Sequence, residues 1–241
     1  MAENIIIGKL KDKQGNVRDG TGVEIATSSP VFSILRAQQK LPTLFVNPVT
    51  KEIGAVIKTV DANGNTNYKG LCVLPAEGSG PPLHFHPNYL ELFEVIEGSF
   101  DFYIKKEKKI INAGDKITVE KGTPHTFRPK GTGLAAFFVE AIPPGNLNAV
   151  IHTIFGLGIH GKLSAKGAPG FWQGIIIGKE LAGDTVFVNP PPFIQKLIFR
   201  LLGNTAYKKG YRAVYDQYLQ DDFWNQHVQQ LHELPAFRDF Q

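Results

Sequence analysis

"GSGPPLHFHPNYLELFEVIEG", residues 78–98, sets His84 and His86 one residue apart and places Glu91 five residues after the second. In a β-strand successive side chains point to opposite faces, so His84 and His86 share one face and Phe85 takes the other. Two neutral imidazoles aimed at one point are half of a metal site. Pro87 and Asn88 predict a tight turn, after which "ELFEVIEG" begins a second strand. A return of that strand beside the first brings Glu91 to the same point and adds an anionic oxygen. A fourth ligand is expected from "GDKITVEKGTPHTF", residues 114–127, where Gly122 suits a sharp turn just ahead of His125. Three histidines and one carboxylate suit a first-row divalent ion such as Fe, Mn, Co, Ni or Zn. Four protein ligands leave positions open on an octahedral ion for water or substrate.

The surroundings of that stretch read as β-structure. Up to about residue 140 the chain is a succession of short alternating or β-branched runs, such as "GAVIKTV" and "TNYKGLCVLP", with Asn63-Gly64 marking a hairpin between them. "SFDFYIKK", "KKIINAGDKITVEKG" and "GLAAFFVEAI" continue the pattern, which predicts a mainly β sandwich or barrel. After Pro143-Pro144 the period changes, and Leu147, Val150, Ile151, Ile154 and Phe155 repeat at three and four. "NPPPFIQKLIFRLLG" predicts a second helix, capped at Asn189 and stopped at Gly203. A third is expected after Asn204-Thr205, with Tyr211, Val214, Tyr215, Tyr218 and Leu219 on one face. The expected organisation is an N-terminal arm over 1–20, a β-barrel over 21–142 and an α-helical extension over 143–241.

Residues about 75 to 130 resemble the cupin family. Its first motif is matched at every spacing by Gly78, His84, His86, Glu91 and Gly98, and its second by Gly114, Gly122 and His125. Glu120 stands where that motif usually has proline, and Pro129 where it usually has asparagine. Both departures fall outside the ligands. The resemblance implies a jelly-roll barrel, a double-stranded β-helix, with His84, His86, Glu91 and His125 inside it. It also allows Glu91 to leave the ion and act as a base, and implies pairing of two barrels through sheet edges as a homodimer.

Composition bounds the other possibilities. The 241 residues are 42% hydrophobic, enough for a sizeable core, and 26 basic residues stand against 22 acidic ones. "KKEKK" at Lys105 to Lys109 and "YKKGYR" at Tyr207 to Arg212 read as solvated faces, so no nucleic-acid partner is expected. Cys72 is the single cysteine, which rules out an internal disulfide and suits a reducing compartment. The apolar run in "MAENIIIGKL" is too short for a signal-peptide core, and no stretch approaches the about 18 apolar residues of a spanning helix, so a cytoplasmic location is expected.

The function that fits these readings is a metal-dependent, dioxygenase-like oxidoreductase, with Fe favoured as the ion. Its substrate is expected to be a small, partly hydrophobic or aromatic molecule. Alternation along the strands places Phe93, Phe100, Phe102 and Phe127 in the same interior as Glu91, and Tyr89 lies beside the ligands; these five line the expected pocket. Isomerase or lyase chemistry on the same site, and a non-catalytic module that binds or senses a small molecule, are the alternatives. His152, His160, His227 and His232 share no ligand spacing, and solvated or capping roles suffice for them. The apolar helix "FIQKLIFRLLG" and the pair Phe171 and Trp172 are expected to pack within the fold or across a dimer, with attachment to a membrane surface as the alternative.

Overall fold

The computed structural model of this chain describes residues 3–60, 64, 66–143 and 145–240, with the side chains of 239 and 240 excepted. Asn63 and Pro144 lie outside the described residues. In chain order the elements are β1 (Asn4–Ile7), β2 (Val23–Ala26), α1 (Pro30–Arg36), β3 (Phe45–Asn47), β4 (Glu52–Val60) and β5 (Thr66–Leu74). They continue with β6 (His84–Phe85), β7 (Leu90–Glu97), β8 (Ser99–Ile104), β9 (Glu107–Asn112), β10 (Lys116–Val119), β11 (His125–Lys130) and β12 (Ala135–Ile142). The last part holds α2 (Leu147–Ile159), α3 (Phe171–Glu180), β13 (Val186–Phe187), α4 (Pro192–Lys208) and α5 (Asp221–His227).

Two antiparallel sheets face each other. One runs β10-β7-β12-β5-β4-β3 and the other β13-β6-β11-β8-β9, while β1 and β2 form a small sheet of their own. The hairpin expected around residue 64 is the β4–β5 pair, in register from Ile53 opposite Val73 to Val60 opposite Thr66. Alternation sorts the side chains as the period of two requires. Cys72, Leu74, Phe93, Val95, Phe100, Phe102, Val119, Phe127 and Phe137, contributed by both large sheets, form one buried cluster inside the sandwich. Ile53, Ala55, Ile57, Leu71 and Val73 belong to a second cluster with Ile7, Ile25, Leu35 and the C-terminal Ile176, Trp224 and Phe237. The jelly-roll sandwich followed by C-terminal helices is thus the observed architecture, and the second cluster ties the helical part to it. The first 20 residues take part as well: β1 pairs with β2, and Leu10 bridges Val228.

Two helix readings need correction. Helix α4 does not start from a cap at Asn189 and does not stop at Gly203; it runs from Pro192 to Lys208. A capping side chain accepts from an N–H two or three residues on, and after Asn189 those residues are Pro191 and Pro192, which have none. Gly203 is instead a notch for α3, since a Cβ there would lie 2.9 Å from Lys179 Cδ. Nor is there a helix spanning Tyr211 to Leu219. That segment ends in a single 3₁₀ turn, Asp216–Leu219, and its backbone groups go to tertiary partners instead. Tyr215 N–H donates to Thr153 Oγ1 at 3.1 Å, and Arg212 C=O accepts from Gln173 Nε2 at 2.6 Å. The strand β13 and the helix α1 carry no signal long enough to have been read.

Inside the sandwich the Cys72 thiol donates to Glu52 Oε1 at 2.9 Å. Burial pushes the Glu52 carboxyl up to about 7, against the lowering effect of that hydrogen bond. A folded-state value above the unfolded 4.5 means the neutral acid contributes stability fully below pH 4.5, and loses it as pH rises through about 7. The Glu52→Gln variant is therefore expected to keep a flatter stability profile than the parent between these values. Urea unfolding across pH 4 to 8 checks this, and parallel profiles for the two proteins would remove the buried-acid assignment.

Candidate metal centre

Three elements converge on one point at the end of the sandwich. His84 opens β6 and His86 follows that short strand, Glu91 lies on β7, and His125 opens β11 directly opposite His84. The turn before His125 passes through Gly122, whose φ of 72° favours glycine, and Gly122 N–H donates to His86 C=O at 2.7 Å. That bond clips the loop carrying the last ligand onto the strand carrying the first two. All four side chains are buried, and one ligating atom from each falls within 4.8 Å of every other.

The hydrogen bonds decide which nitrogen of each ring faces the centre. His84 Nδ1 lies 2.9 Å from Pro82 C=O, and His125 Nδ1 lies 2.9 Å from Thr123 C=O. His86 Nδ1 lies 3.0 Å from Asp184 C=O and 3.1 Å from Thr185 Oγ1. A carbonyl only accepts, so each Nδ1 carries the proton and each Nε2 presents a lone pair inward. His86 Nε2 and His125 Nε2 then stand 3.0 and 2.8 Å from Glu91 Oε2. The His86 contact is close but misaligned for a hydrogen bond, so this buried nitrogen has no partner. Lone pairs facing a carboxylate oxygen at such distances repel unless a proton or a cation lies between them.

The set fits a transition ion. Two ligands at right angles, each about 2.1 Å from a common ion, would be about 3.0 Å apart, close to both contacts of Glu91. The electrostatics agree that the carboxyl is an anion: burial pushes Glu91 up, but its close contacts with His125 and His86 outweigh this and hold it at about 2. Burial above all lowers His84 to about 3, so this ring stays neutral and free to ligate.

The side-chain shell behind His86 comes from the helical part of the chain. Asp184 and Thr185 precede β13, which pairs with β6 so that Val186 faces Phe85 and Phe187 faces His84. Asn88 Nδ2 donates to Gly183 C=O at the start of this strap. Tyr89 is buried, stacks on the His86 ring with centroids 4.4 Å apart, and shares a hydrogen bond of 3.3 Å with Thr185 Oγ1. Burial raises the Tyr89 phenol well above its usual range, so it stays a neutral hydroxyl. Asp184 and Thr185 were not legible in the sequence: "TVF" is too short a run to register as a strand, and the contact spans 99 residues.

Phe93, Phe100, Phe102 and Phe127 are all buried and pack ring to ring, and Phe137 joins them through Phe93, Phe100 and Phe127. Their centroids are 5.1 Å apart for Phe93 and Phe102 and 5.5 Å for Phe102 and Phe127. Phe93 comes within 6.4 Å of the His125 ring, edge to face. None of the other histidines joins the cluster. His152 packs on Phe45 at 4.1 Å, His160 Nδ1 meets the Tyr218 hydroxyl at 2.8 Å, and His227 Nδ1 donates to Phe223 C=O. A groove of about 570 Å³ between Lys40, Val56, Lys58, Tyr68, His152 and Trp224 is lined by none of the four ligands.

Fold and site together define a jelly-roll protein with a buried three-histidine, one-glutamate centre. Residues 70–141 match the family model of the cupin domain, and this part of the chain is a cupin domain. An oxidoreductase of Arthrobotrys oligospora is 36% identical over 91 residues, covering 33% of this chain and 36% of that protein. Quercetin 2,3-dioxygenase of Bacillus subtilis is 28% identical over 78 residues, covering 31% of this chain and 23% of that protein. The matched region thus spans about a third and about a quarter of these two relatives. Among solved structures, one from Thermotoga maritima described as a predicted oxalate decarboxylase is similar at 19% identity and a TM-score of 0.32, covering 42% of this chain and 90% of that one.

Proposed function

We propose that the protein is a metal-dependent oxidoreductase of dioxygenase type, acting on a small, partly hydrophobic or aromatic molecule. One observation carries this reading: three inward-facing Nε2 atoms and the Glu91 carboxylate converge in a buried cluster whose charge and lone pairs call for a cation. The names borne by the two curated relatives, an oxidoreductase and a quercetin 2,3-dioxygenase, support redox chemistry and an aromatic substrate. A divalent transition ion held by His84, His86, Glu91 and His125, with iron favoured, supplies open coordination positions and one-electron chemistry.

The residues set the conditions for that chemistry. Phe93, Phe100, Phe102, Phe127 and Phe137 close the barrel below the ligands and keep water out of that side. A reacting molecule then meets an apolar floor, which suits a flat hydrophobic or aromatic body. Glu91 is the one carboxylate of the cluster. It takes a substrate proton only after giving up its contacts to His86 and His125, because within them it binds no proton near neutral pH. Tyr89 acts as a clamp on the His86 ring through stacking and through Thr185.

The test is oxygen uptake by the iron-loaded protein with quercetin and with smaller phenols. Substrate-dependent uptake is expected, and it is expected to be lost in Glu91→Gln. The close packing of the aromatic floor also favours a second reading, in which the site binds a small molecule without converting it. A metal-loaded protein that consumes no oxygen but is stabilised by one of these molecules would replace the first reading with the second.

A further inference from the structure

Helix α4 packs one side against α3 and leaves the other bare. Toward α3 it buries Gln195, Gly203 and Ala206 and half-buries Phe199, whose ring lies over Gly178. On the opposite side Phe193, Leu197 and Leu201, spaced four residues apart and hence stacked along one face, are 73%, 56% and 64% exposed. Ile194 joins the stripe, and Phe171 at the start of α3 is 64% exposed. Singly exposed apolar residues need no explanation, but a run of this size along one helix marks a surface that meets something.

The charge around the stripe says what that is. From Thr185 to Tyr215 the chain has no acidic residue and five basic ones, Lys196, Arg200, Lys208, Lys209 and Arg212. At 100° per residue, Lys196 and Arg200 fall beside Phe193 along one edge of the stripe, while Tyr207 and Lys208 lie at its C-terminal end. Lys209 Nζ sits 5.2 Å over the Trp172 ring, which carries the basic rim across to α3. An apolar helix face bordered by lysine, arginine and aromatic side chains is the composition of a helix lying in a lipid–water interface. A second copy fits less well: two such faces brought together would confront cations with cations, and the stretch offers no carboxylate to neutralise them. No helix among the described residues is long and apolar enough to cross a membrane.

We infer that the exposed face of α4 docks the protein on an anionic lipid surface, with Phe193, Leu197 and Leu201 entering the interface and Lys196 and Arg200 meeting headgroup phosphates. This is independent of the metal site. Because the three apolar residues are exposed, serine in their place leaves the fold intact, which unchanged urea unfolding verifies.

The experiment is co-sedimentation of the full chain with vesicles of phosphatidylcholine alone and with vesicles one third phosphatidylserine. Binding is expected to the second kind, weakening as salt rises. The Phe193→Ser/Leu197→Ser/Leu201→Ser variant is expected to bind at least about a hundredfold more weakly, since each lost apolar contact is worth about tenfold when fully buried in the interface. Lys196→Glu/Arg200→Glu is expected to lose the preference for phosphatidylserine. Absence of sedimentation with either vesicle, or binding unaffected by the triple serine change, overturns the proposal. So does a concentration-dependent dimer that the serine variant abolishes while vesicles are ignored, which would assign the face to a second copy.

Discussion

Alanine at both His84 and His86 is expected to reduce transition-metal content from near-stoichiometric to background. Four-ligand protein sites bind zinc with about 10–16 kcal/mol at neutral pH, or about 3 kcal/mol per ligand. Two lost ligands then correspond to about four orders of magnitude in affinity. Elemental analysis of the purified protein and the variant, before and after reconstitution, reads this directly. Thermal unfolding adds a second measure, because an ion that binds only the folded chain raises the melting temperature of the parent and leaves the variant unmoved. Glu91→Gln refines the result, since it keeps the shape and removes the charge. It is expected to weaken binding while leaving the three Nε2 atoms in place. Full metal content in the double alanine variant would mean that the cluster is not the site.

Thr185→Val is expected to lower metal affinity about tenfold, the low end of what loss of a ligand's supporting hydrogen bond does. Valine matches threonine in shape but leaves His86 Nδ1 with Asp184 C=O alone and strands the buried Tyr89 hydroxyl. Thr185→Ser, which restores the hydroxyl, is expected to recover the affinity. Tyr89→Phe separates positioning from general stability. It removes the link between Tyr89 and Thr185 but not the one between Thr185 and His86, so unfolding changes while metal affinity moves much less than in Thr185→Val. Metal release to a chelator, timed for the four proteins, gives the comparison. Equal release rates for parent and Thr185→Val would reduce Thr185 to a packing residue.

Thr185 also explains why the chain does not end its site at the barrel. The strap that carries it joins α3 to α4, and it adds β13 to the sheet edge beside His84. The helical part of the chain is therefore built into the candidate metal centre through this strap. His86 would otherwise present its Nδ1 to solvent, where its tautomer would be free to change.

The candidate ligand set was legible in the chain because each part of its signal is local. The period of two puts His84 and His86 on one face whatever the rest of the fold does, and Glu91 and His125 sit at spacings that a tight turn and a glycine turn explain. The strands between Glu52 and Ile142 were legible for the same reason, since alternation between a packed face and an outer face is written residue by residue. The end of α4 was misread because Gly203 reports on the approach of α3, which no local pattern contains. The missing helix after Thr205 has a similar cause: its periodic aromatics are real, but Thr153 and Gln173 draw its backbone into other hydrogen bonds.

What the sequence determined by itself is the chemistry available to this protein: four ligating side chains, a jelly-roll pattern of strands and a basic, apolar helix near the C-terminus. Only the tertiary structure decided how that chemistry is held. Protonation of each Nδ1, and so the inward lone pair of each Nε2, depends on carbonyls from Pro82, Thr123 and Asp184 that turn toward the rings only in the folded chain. The bare face of α4 is decided in the same way, because its residues are apolar nearly all round and packing against α3 selects which of them remain outside.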